Sequence, residues 1–280
     1  MTESFRTNDG RTLTYERRGS GPLLVCHPGG PGFSSGYFAG DLGGLDATCE
    51  LVLLDPRGTG ASTRPGDAGE YKTAHYVADV EAVRRHLEED QLNLLGHSHG
   101  GVVAAAYAAA HPSRVRRLVL ANALARFLRD AMEAEMQTHA GEPWYDDART
   151  ALDRENAGEY ETPEELGELV RSFWPMYFAR FDDGARRYAE QHLGERANPD
   201  ALKVFNAGSE EWDARGELGA ITAPTLVITG ARDFITGPAC AHDLADGIPG
   251  AHLVVVEDCG HFLFVECPQR WREEVTSFLT

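Results

Sequence analysis

The sequence predicts an α/β fold with a doubly wound, mostly parallel sheet and an inserted helical cap. Short apolar runs recur along the chain, and patterns typical of helices separate them. Strands that alternate with helices form mostly parallel sheets, with helices covering both faces. A long stretch of helical pattern interrupts this alternation before the last two predicted strands, and we expect it to form the cap.

Most of the predicted strands are short runs rich in Val, Leu and Ile, bounded by turn-forming residues. In chain order they cover Thr12–Arg17, Leu23–His27, Glu50–Asp55, Leu92–Gly96, Val115–Ala121, Thr225–Thr229 and His252–Val256. The segment Thr73–Glu89 predicts an amphipathic helix instead, because its apolar residues recur at helical spacing and share one face.

The long helical stretch determines the predicted domain organisation. A chain of 280 residues can form one large domain or a domain with an insertion. We expect residues 1–124 and 220–280 to form the core domain and residues 125–219 to form the cap. Ligands of doubly wound sheets bind at the carboxyl ends of the strands, so a cap inserted there would shape and cover the site. The predicted cap helices are Leu124–Thr138, Asp146–Glu155, Pro163–Phe181, Gly184–Leu193 and Pro199–Asn206.

A candidate nucleophile lies in the motif Gly-His-Ser-His-Gly at residues 96–100. The apolar run 92–95 precedes the motif and a stretch of small residues, 101–110, follows it, which together indicate a strand, a sharp turn and a helix. Such a turn exposes a serine hydroxyl, and glycines two residues to either side permit the close approach of strand and helix. Because a hydroxyl is a weak nucleophile, it needs a base beside it. We therefore predict Ser98 as the catalytic nucleophile.

The chain supplies a base and an orienting acid downstream of Ser98. His261 follows the last predicted strand, and Asp233 follows the strand before it. Serine, then acid, then histidine is the chain order that accompanies such a turn. In a triad of this kind the histidine takes the serine proton and the acid holds the imidazole. Glu257 and Asp258 are alternative acids, although carboxylates so close to His261 in sequence would rarely reach its far ring nitrogen.

A glycine-rich loop predicts the third part of the site, an oxyanion hole. Residues 28–32, Pro-Gly-Gly-Pro-Gly, directly follow a predicted strand. Backbone N–H groups in such a loop are not shielded by side chains, and two of them can stabilise the negative oxygen of a tetrahedral intermediate. We assign the N–H of His99, the residue after the nucleophile, and that of Gly30 or Gly29.

These motifs resemble those of the α/β-hydrolase fold superfamily, over residues 10–124 and 220–280. Within it the chain most resembles proline iminopeptidases, which carry His-Gly-Gly-Pro-Gly at the oxyanion loop and Asp-Gln-Arg-Gly-Ser-Gly-x-Ser after the next strand. Here the corresponding segments are Pro-Gly-Gly-Pro-Gly at 28–32 and Asp-Pro-Arg-Gly-Thr-Gly-Ala-Ser at 55–62. The resemblance implies a serine hydrolase that forms an acyl-enzyme and releases an N-terminal residue from small peptides or amides.

Other features leave the bond type open. Proline iminopeptidases usually carry Gly-Gly-Ser-Trp-Gly at the nucleophile, whereas the motif at 96–100 is common among esterases, lactonases and carbon–carbon bond hydrolases. The alternative function is therefore hydrolysis of a carboxylic ester, a lactone or a carbon–carbon bond in a small apolar substrate. A third alternative, a non-catalytic small-molecule receptor on the same scaffold, is disfavoured by the complete triad.

Acidic and aromatic residues of the predicted cap are candidate substrate-binding residues. An aminopeptidase holds the cationic N-terminal amine of its substrate by opposite charge, and the resemblance implies cap glutamates for this role. Aromatic residues of the cap would either line an apolar pocket or form the cap's own small core. The candidate glutamates and aromatic residues are Glu190, Glu210, Glu211, Trp174, Tyr177 and Trp212.

The amino-acid composition indicates which classes of partner and which cellular location to expect. The chain carries 26 basic and 44 acidic residues, a net charge of −18, which disfavours nucleic acids and anionic membranes as partners. It has no apolar run of membrane-spanning length and no signal-peptide pattern, so we expect a cytoplasmic protein. The five cysteines form no metal-binding or paired spacing and are expected to be reduced thiols. We expect a small molecule or short peptide as the substrate, with no metal or other cofactor.

Overall fold

The computed structural model describes residues 2–193, 197–209 and 213–280. Its strands are Thr2–Arg6 (β1), Thr12–Gly19 (β2), Leu23–His27 (β3), Glu50–Asp55 (β4), Leu92–His97 (β5), Val115–Ala121 (β6), Thr225–Gly230 (β7) and His252–Val256 (β8). They form an eight-stranded sheet in the order β1-β2-β4-β3-β5-β6-β7-β8. β2 runs antiparallel to both β1 and β4, and all the other pairs are parallel. The α/β fold predicted from the sequence is confirmed.

The edge strand β1 is absent from the sequence prediction. Its side chains are exposed except for Phe5, so the strand has no apolar run that would reveal it. β1 pairs with β2 in antiparallel register through a turn that contains Asp9 and Gly10, with Gly10 at φ +86°. The Asp-Gly pair is a hairpin signal, and it is the local feature from which β1 could have been predicted.

The described helices surround this sheet. They are Thr73–His86 (α1), His99–Ala110 (α2), Arg129–Gln137 (α3), Tyr145–Asn156 (α4), Pro163–Phe173 (α5), Asp183–Tyr188 (α6), Pro199–Ser209 (α7), Arg215–Leu218 (α8), Pro238–Gly247 (α9), Leu263–Glu266 (α10) and Pro268–Leu279 (α11). A π-helical turn, Ala189–Leu193, continues α6. Within the described part of the chain, no helix is both long and apolar enough to cross a membrane.

Two helices between β6 and β7 are shorter than the sequence predicts. The predicted helix Leu124–Thr138 begins only at Arg129, and the predicted helix Pro163–Phe181 ends at Phe173. Pro175 explains the second difference, because proline lacks the N–H that an α-helix requires and its ring clashes with the preceding turn. The chain continues there as a short 3₁₀ turn, Trp174–Tyr177.

Hydrophobic cores lie on both faces of the sheet. In β3, Leu24 and Cys26 belong to one buried cluster and Val25 to the other, because successive side chains of a strand point to opposite faces. The first cluster includes residues of α4, α5 and α11, and the second includes residues of α1, α2 and α9. Burial on both faces explains why β3, β4 and β7 appear in the sequence as near-continuous apolar runs.

Residues near the two ends of the helical segment between β6 and β7 lie side by side. The backbone N–H of Ala214 donates to the carbonyl of Ala125 at 2.9 Å, and Arg126 and Asp213 form an isolated antiparallel bridge. These contacts join the two ends of the segment that the sequence predicts as a cap. The division into a core domain and a cap stays a prediction.

The expectation of five reduced thiols is wrong for two cysteines. The structure joins Cys259 and Cys267 in a disulfide, with their Cα atoms 6.4 Å apart, and leaves Cys26, Cys49 and Cys240 as buried free thiols. The spacing of the pair carries no sequence signal, because the turn after β8 and the short helix α10 bring the two residues together in space. The disulfide closes the loop that carries His261.

Candidate active site

Ser98 occupies the sharp turn between β5 and α2. Its backbone has φ +56° and ψ −123°, a conformation that residues with a Cβ atom rarely adopt. The glycines on either side allow this turn to pack closely. A Cβ atom on Gly96 would lie 2.2 Å from the carbonyl oxygen of Gly100, and one on Gly100 would lie 2.2 Å from that of His27. The strained turn presents Ser98 at the carboxyl end of the parallel strands.

Asp233 and His261 meet at the same edge of the sheet. Asp233 follows β7 and His261 follows β8, and the His261 Nδ1 atom lies 2.9 Å from Asp233 Oδ2. Both side chains are buried, whereas the alternative acids Glu257 and Asp258 are exposed. The structure therefore brings His261 together with the acid that the sequence analysis preferred.

The Asp233 carboxylate is held by several hydrogen-bond donors. Asn122 Nδ2 donates to Oδ2 at 2.7 Å and the Thr236 hydroxyl lies 2.6 Å from the same oxygen, while the backbone N–H groups of Ile235 and Thr236 donate to Oδ1. Burial alone would raise the pKa of Asp233, but the charge of His261 and these hydrogen bonds outweigh it and hold the pKa well below its usual range. An ionised carboxylate at Nδ1 keeps a proton on that nitrogen and leaves Nε2 of His261 to act as the base.

Ser98 and His261 open into one cavity of about 360 Å³. No hydrogen bond joins the two side chains in the described structure, and catalytic hydrogen bonds commonly tighten only when substrate is bound. Most of the other lining residues are apolar, and most of them come from the segment between β6 and β7. They include Leu152, Phe173, Trp174, Tyr177, Leu202 and Phe205.

The oxyanion loop distinguishes between the two donors that the sequence left open. The backbone N–H of Gly29 donates to the Tyr37 hydroxyl at 2.6 Å, so this group is already engaged. The N–H of Gly30 has no acceptor among the described residues, and that of His99 begins α2 and has no partner within the helix. This arrangement favours Gly30 together with His99 as the oxyanion donors beside Ser98.

Gly29→Ala is expected to lower kcat about 100-fold, the scale of a 1 Å misplacement in an active site. The backbone of Gly29 permits other residues, but an added Cβ atom would lie 2.7 Å from the Cβ atom of Ser98. The clash would displace Ser98 or the loop. The measurement is kcat together with the rate of labelling by a fluorophosphonate probe. The control is Gly66→Ala, where no atom lies within 4 Å of the added Cβ atom. A Gly29→Ala variant with the control's kcat would contradict the close approach.

The structure places only some of the predicted substrate-binding residues at the cavity. Trp174 and Tyr177 line the cavity, whereas Glu190 is exposed and does not line it. The remaining three candidates lie outside the described residues: Glu210, Glu211 and Trp212.

Glu155 lines the cavity and was missed by the sequence analysis. Its carboxyl accepts a hydrogen bond from Asn206 Nδ2 at 3.3 Å, and burial raises its pKa to about 7. A local signal existed, because Glu155 falls on the same face of α4 as the buried residues Tyr145, Ala148 and Leu152. A carboxylate in an apolar stripe is costly to bury, which makes it a candidate for function. Among the residues that the structure describes, no cluster of three or more His, Cys, Asp or Glu side chains could hold a metal ion.

The fold and the site together define a serine hydrolase. A serine on a strained strand–helix turn, a histidine–carboxylate pair and backbone donors occupy the carboxyl edge of a mostly parallel sheet. The chain belongs to the α/β hydrolase fold family, whose sequence profile matches residues 22–268.

Similar proteins fall into several hydrolase groups. The chain is 27% identical to a proline iminopeptidase of Saccharolobus solfataricus, over 95% of this chain and 87% of that protein. It is 31% identical to a 2-hydroxymuconate semialdehyde hydrolase of Pseudomonas putida, over 96% of this chain and 90% of that protein. Among solved structures, a hydrolase from Pseudomonas aeruginosa PA01 matches with a TM-score of 0.75 and 29% identity, covering 99% of this chain and 98% of that one.

Proposed function

We propose that this serine hydrolase is proline iminopeptidase-like and releases the N-terminal residue from short peptides or amides. The observation that carries the proposal is Glu155, a buried carboxyl in the cavity that Ser98 and His261 also line. An ionised carboxylate in an otherwise mainly apolar cavity attracts the cationic amine of an N-terminal residue. The similarity to the proline iminopeptidase of Saccharolobus solfataricus supports the same substrate class.

The proposed chemistry runs through an acyl-enzyme. Ser98 attacks the carbonyl carbon of the scissile amide while His261 takes the hydroxyl proton, and the N–H groups of His99 and Gly30 bind the oxygen that becomes negative. His261 then donates the proton to the departing amine. It next activates the water molecule that hydrolyses the acyl-enzyme. Asp233 orients the imidazole throughout and stabilises its protonated form.

We also propose that residues 125–219 act as a cap over this chemistry. Trp174 and Tyr177, which belong to this segment, line the cavity together with Ser98. A cover of aromatic side chains excludes water and strengthens the electrostatic interactions inside the site. The cytoplasmic location expected from the sequence stays a prediction.

The test compares two chromogenic substrates, prolyl-p-nitroanilide and p-nitrophenyl butyrate. Preference for the prolyl amide by kcat/KM would support the proposal. Turnover of the ester alone would reject the peptidase assignment and leave a serine esterase. Ser98→Ala serves as the background control for both substrates.

Glu155→Gln is expected to lower kcat/KM for prolyl-p-nitroanilide about 10- to 100-fold and to leave the butyrate ester near the wild-type value. The factor corresponds to the loss of one charge-assisted hydrogen bond to the amine. Because burial raises the pKa of Glu155 to about 7, the carboxylate that binds the amine forms as the pH rises through that value. The ratio of amide to ester kcat/KM should therefore rise in the wild type as the pH approaches 7, below the pKa of about 7.7–8.0 at which an α-amine loses its proton, and stay flat in the variant over that range.

The matched control for this variant is Glu168→Gln, an exposed glutamate on α5. Both substrates use the same triad, so the ratio removes the titration of His261 from the comparison. An equal loss on both substrates would mean that Glu155 supports the fold of the cavity instead of binding the amine.

A second candidate function is hydrolysis of an ester or a carbon–carbon bond in a small apolar substrate. The predominantly apolar lining of the cavity favours it, as does the 31% identity to a 2-hydroxymuconate semialdehyde hydrolase. Turnover of p-nitrophenyl butyrate without turnover of prolyl-p-nitroanilide would select this function.

A further inference from the structure

We infer that Tyr37 and His97 are positioning residues that link the oxyanion loop to the loop of the catalytic histidine through one buried hydrogen-bond chain. The inference rests on the proposed serine hydrolase function of the site and is independent of the substrate. Tyr37 is 4% exposed and His97 is 2% exposed, and both also line the cavity that Ser98 and His261 line.

This hydrogen-bond chain consists of three contacts between four residues. The backbone N–H of Gly29 donates to the Tyr37 hydroxyl oxygen at 2.6 Å, and that oxygen lies 2.8 Å from His97 Nδ1. On the other side of the ring, His97 Nε2 lies 2.9 Å from the carbonyl oxygen of His261. The oxyanion loop and the His261 loop, which are far apart in sequence, are therefore joined through two side chains.

The protons along this chain can be assigned from chemistry alone. A carbonyl oxygen only accepts, so the ring proton of a neutral His97 is on Nε2 and points to His261. Nδ1 is then an acceptor, so the Tyr37 hydroxyl donates to it and its oxygen accepts from Gly29. Burial and the neighbouring charge of His261 lower the pKa of His97 to about 3, and burial raises the pKa of Tyr37. Both shifts favour the neutral forms of His97 and Tyr37, on which this assignment of donors and acceptors depends.

The hydrogen-bond chain orients one peptide group at each of its two ends. At the oxyanion loop it directs the Gly29 N–H toward Tyr37, which leaves the next N–H, that of Gly30, for the substrate oxygen. At the base it holds the His261 carbonyl, while the His261 backbone N–H donates to the carbonyl of Tyr177 at 2.7 Å. Tyr37 is itself held from the helical segment, because the Tyr188 hydroxyl donates to its backbone carbonyl.

The test is Tyr37→Phe, which keeps the ring and removes the hydroxyl that joins Gly29 to His97. We expect kcat to fall about 10- to 100-fold on prolyl-p-nitroanilide and on p-nitrophenyl butyrate alike, with KM nearly unchanged, because geometry is lost and substrate contacts are kept. The rate of fluorophosphonate labelling should fall in parallel. The control is Tyr160→Phe, whose buried hydroxyl has no partner in the described structure.

Several outcomes would overturn the inference. One is a Tyr37→Phe variant with the kcat and labelling rate of the Tyr160→Phe control, and another is a loss confined to KM. If Tyr37→Phe does not fold, His97→Asn replaces it, because its shorter side chain keeps an acceptor for Tyr37 and cannot reach the carbonyl of His261. That variant should also be labelled more slowly, and wild-type labelling would reject the role.

Labelling separates this inference from the proposed substrate. A wild-type protein that is labelled at Ser98 and hydrolyses neither chromogenic substrate contradicts the proposed function. The comparison of labelling rates between wild type and Tyr37→Phe still tests the positioning role in that case.

Discussion

Ser98→Ala is expected to reduce kcat about 10⁶-fold on any substrate that the wild type hydrolyses, the scale observed when a triad nucleophile is removed. Without the hydroxyl no acyl-enzyme forms, and the oxyanion donors and the cavity supply the little catalysis that remains. Alanine carries the same Cβ atom as serine, so the strain of φ +56° at this position is unchanged. The measurement combines kcat, fluorophosphonate labelling and thermal melting, and we expect no labelling and a melting temperature near that of the wild type.

The matched control is Ser113→Ala, which removes an exposed serine remote from the turn at 96–100. This variant should be labelled and should turn over substrate like the wild type. Turnover by Ser98→Ala that approaches the rate of Ser113→Ala would mean that another group is the nucleophile.

Asp233→Asn is expected to lower kcat about 10⁴-fold, the effect that replacing the orienting aspartate of a serine triad by asparagine has. The His261 Nδ1 atom would face a neutral amide in place of a carboxylate, so its proton would no longer be held there and the imidazolium would lose its counter-charge. The donors from Asn122 and Thr236 that now meet Asp233 Oδ2 would also face an N–H group in one orientation of the new amide. The measurement is kcat at several pH values.

The same variant has a stability signature with a definite sign. The pKa of Asp233 is held below its usual range, so its ionised form stabilises the fold above the unfolded-state pKa of about 3.9. That stability is lost as the pH falls through and below this value. The melting temperature of the wild type should therefore drop more steeply on acidification than that of Asp233→Asn.

Asp258→Asn is the discriminating control for the identity of the acid. Asp258 is exposed, close to His261 in sequence and at φ +56°, a conformation that asparagine tolerates. We expect wild-type kcat for this variant. If Asp258→Asn lost activity and Asp233→Asn retained it, Asp258 would be the orienting acid in place of Asp233.

Much of the fold follows from local sequence patterns. The strands β3, β4 and β7 are marked by near-continuous apolar runs, because burial on both faces of a parallel sheet leaves few positions for polar residues. The strand–turn–helix around Ser98 follows from its glycines, since only a residue without a Cβ atom fits where Gly96 and Gly100 approach the neighbouring backbone. The edge strand β1 has no continuous apolar run, so this pattern does not reveal it. The predicted helix Pro163–Phe181 ends at Phe173 instead, because Pro175 cannot continue an α-helix.

The sequence by itself determined the fold class and the candidate nucleophile, base and acid. The spacing of apolar residues and the residues that form turns are properties of short segments, and the order of the candidate residues is read directly along the chain. Only the tertiary structure decided which groups meet. In that structure the Gly29 N–H donates to Tyr37, Cys259 pairs with Cys267, and Glu155 lines the cavity. These outcomes depend on contacts between segments distant in the chain or on how the loops between elements turn. Such contacts are set by packing and leave no periodic pattern in the sequence.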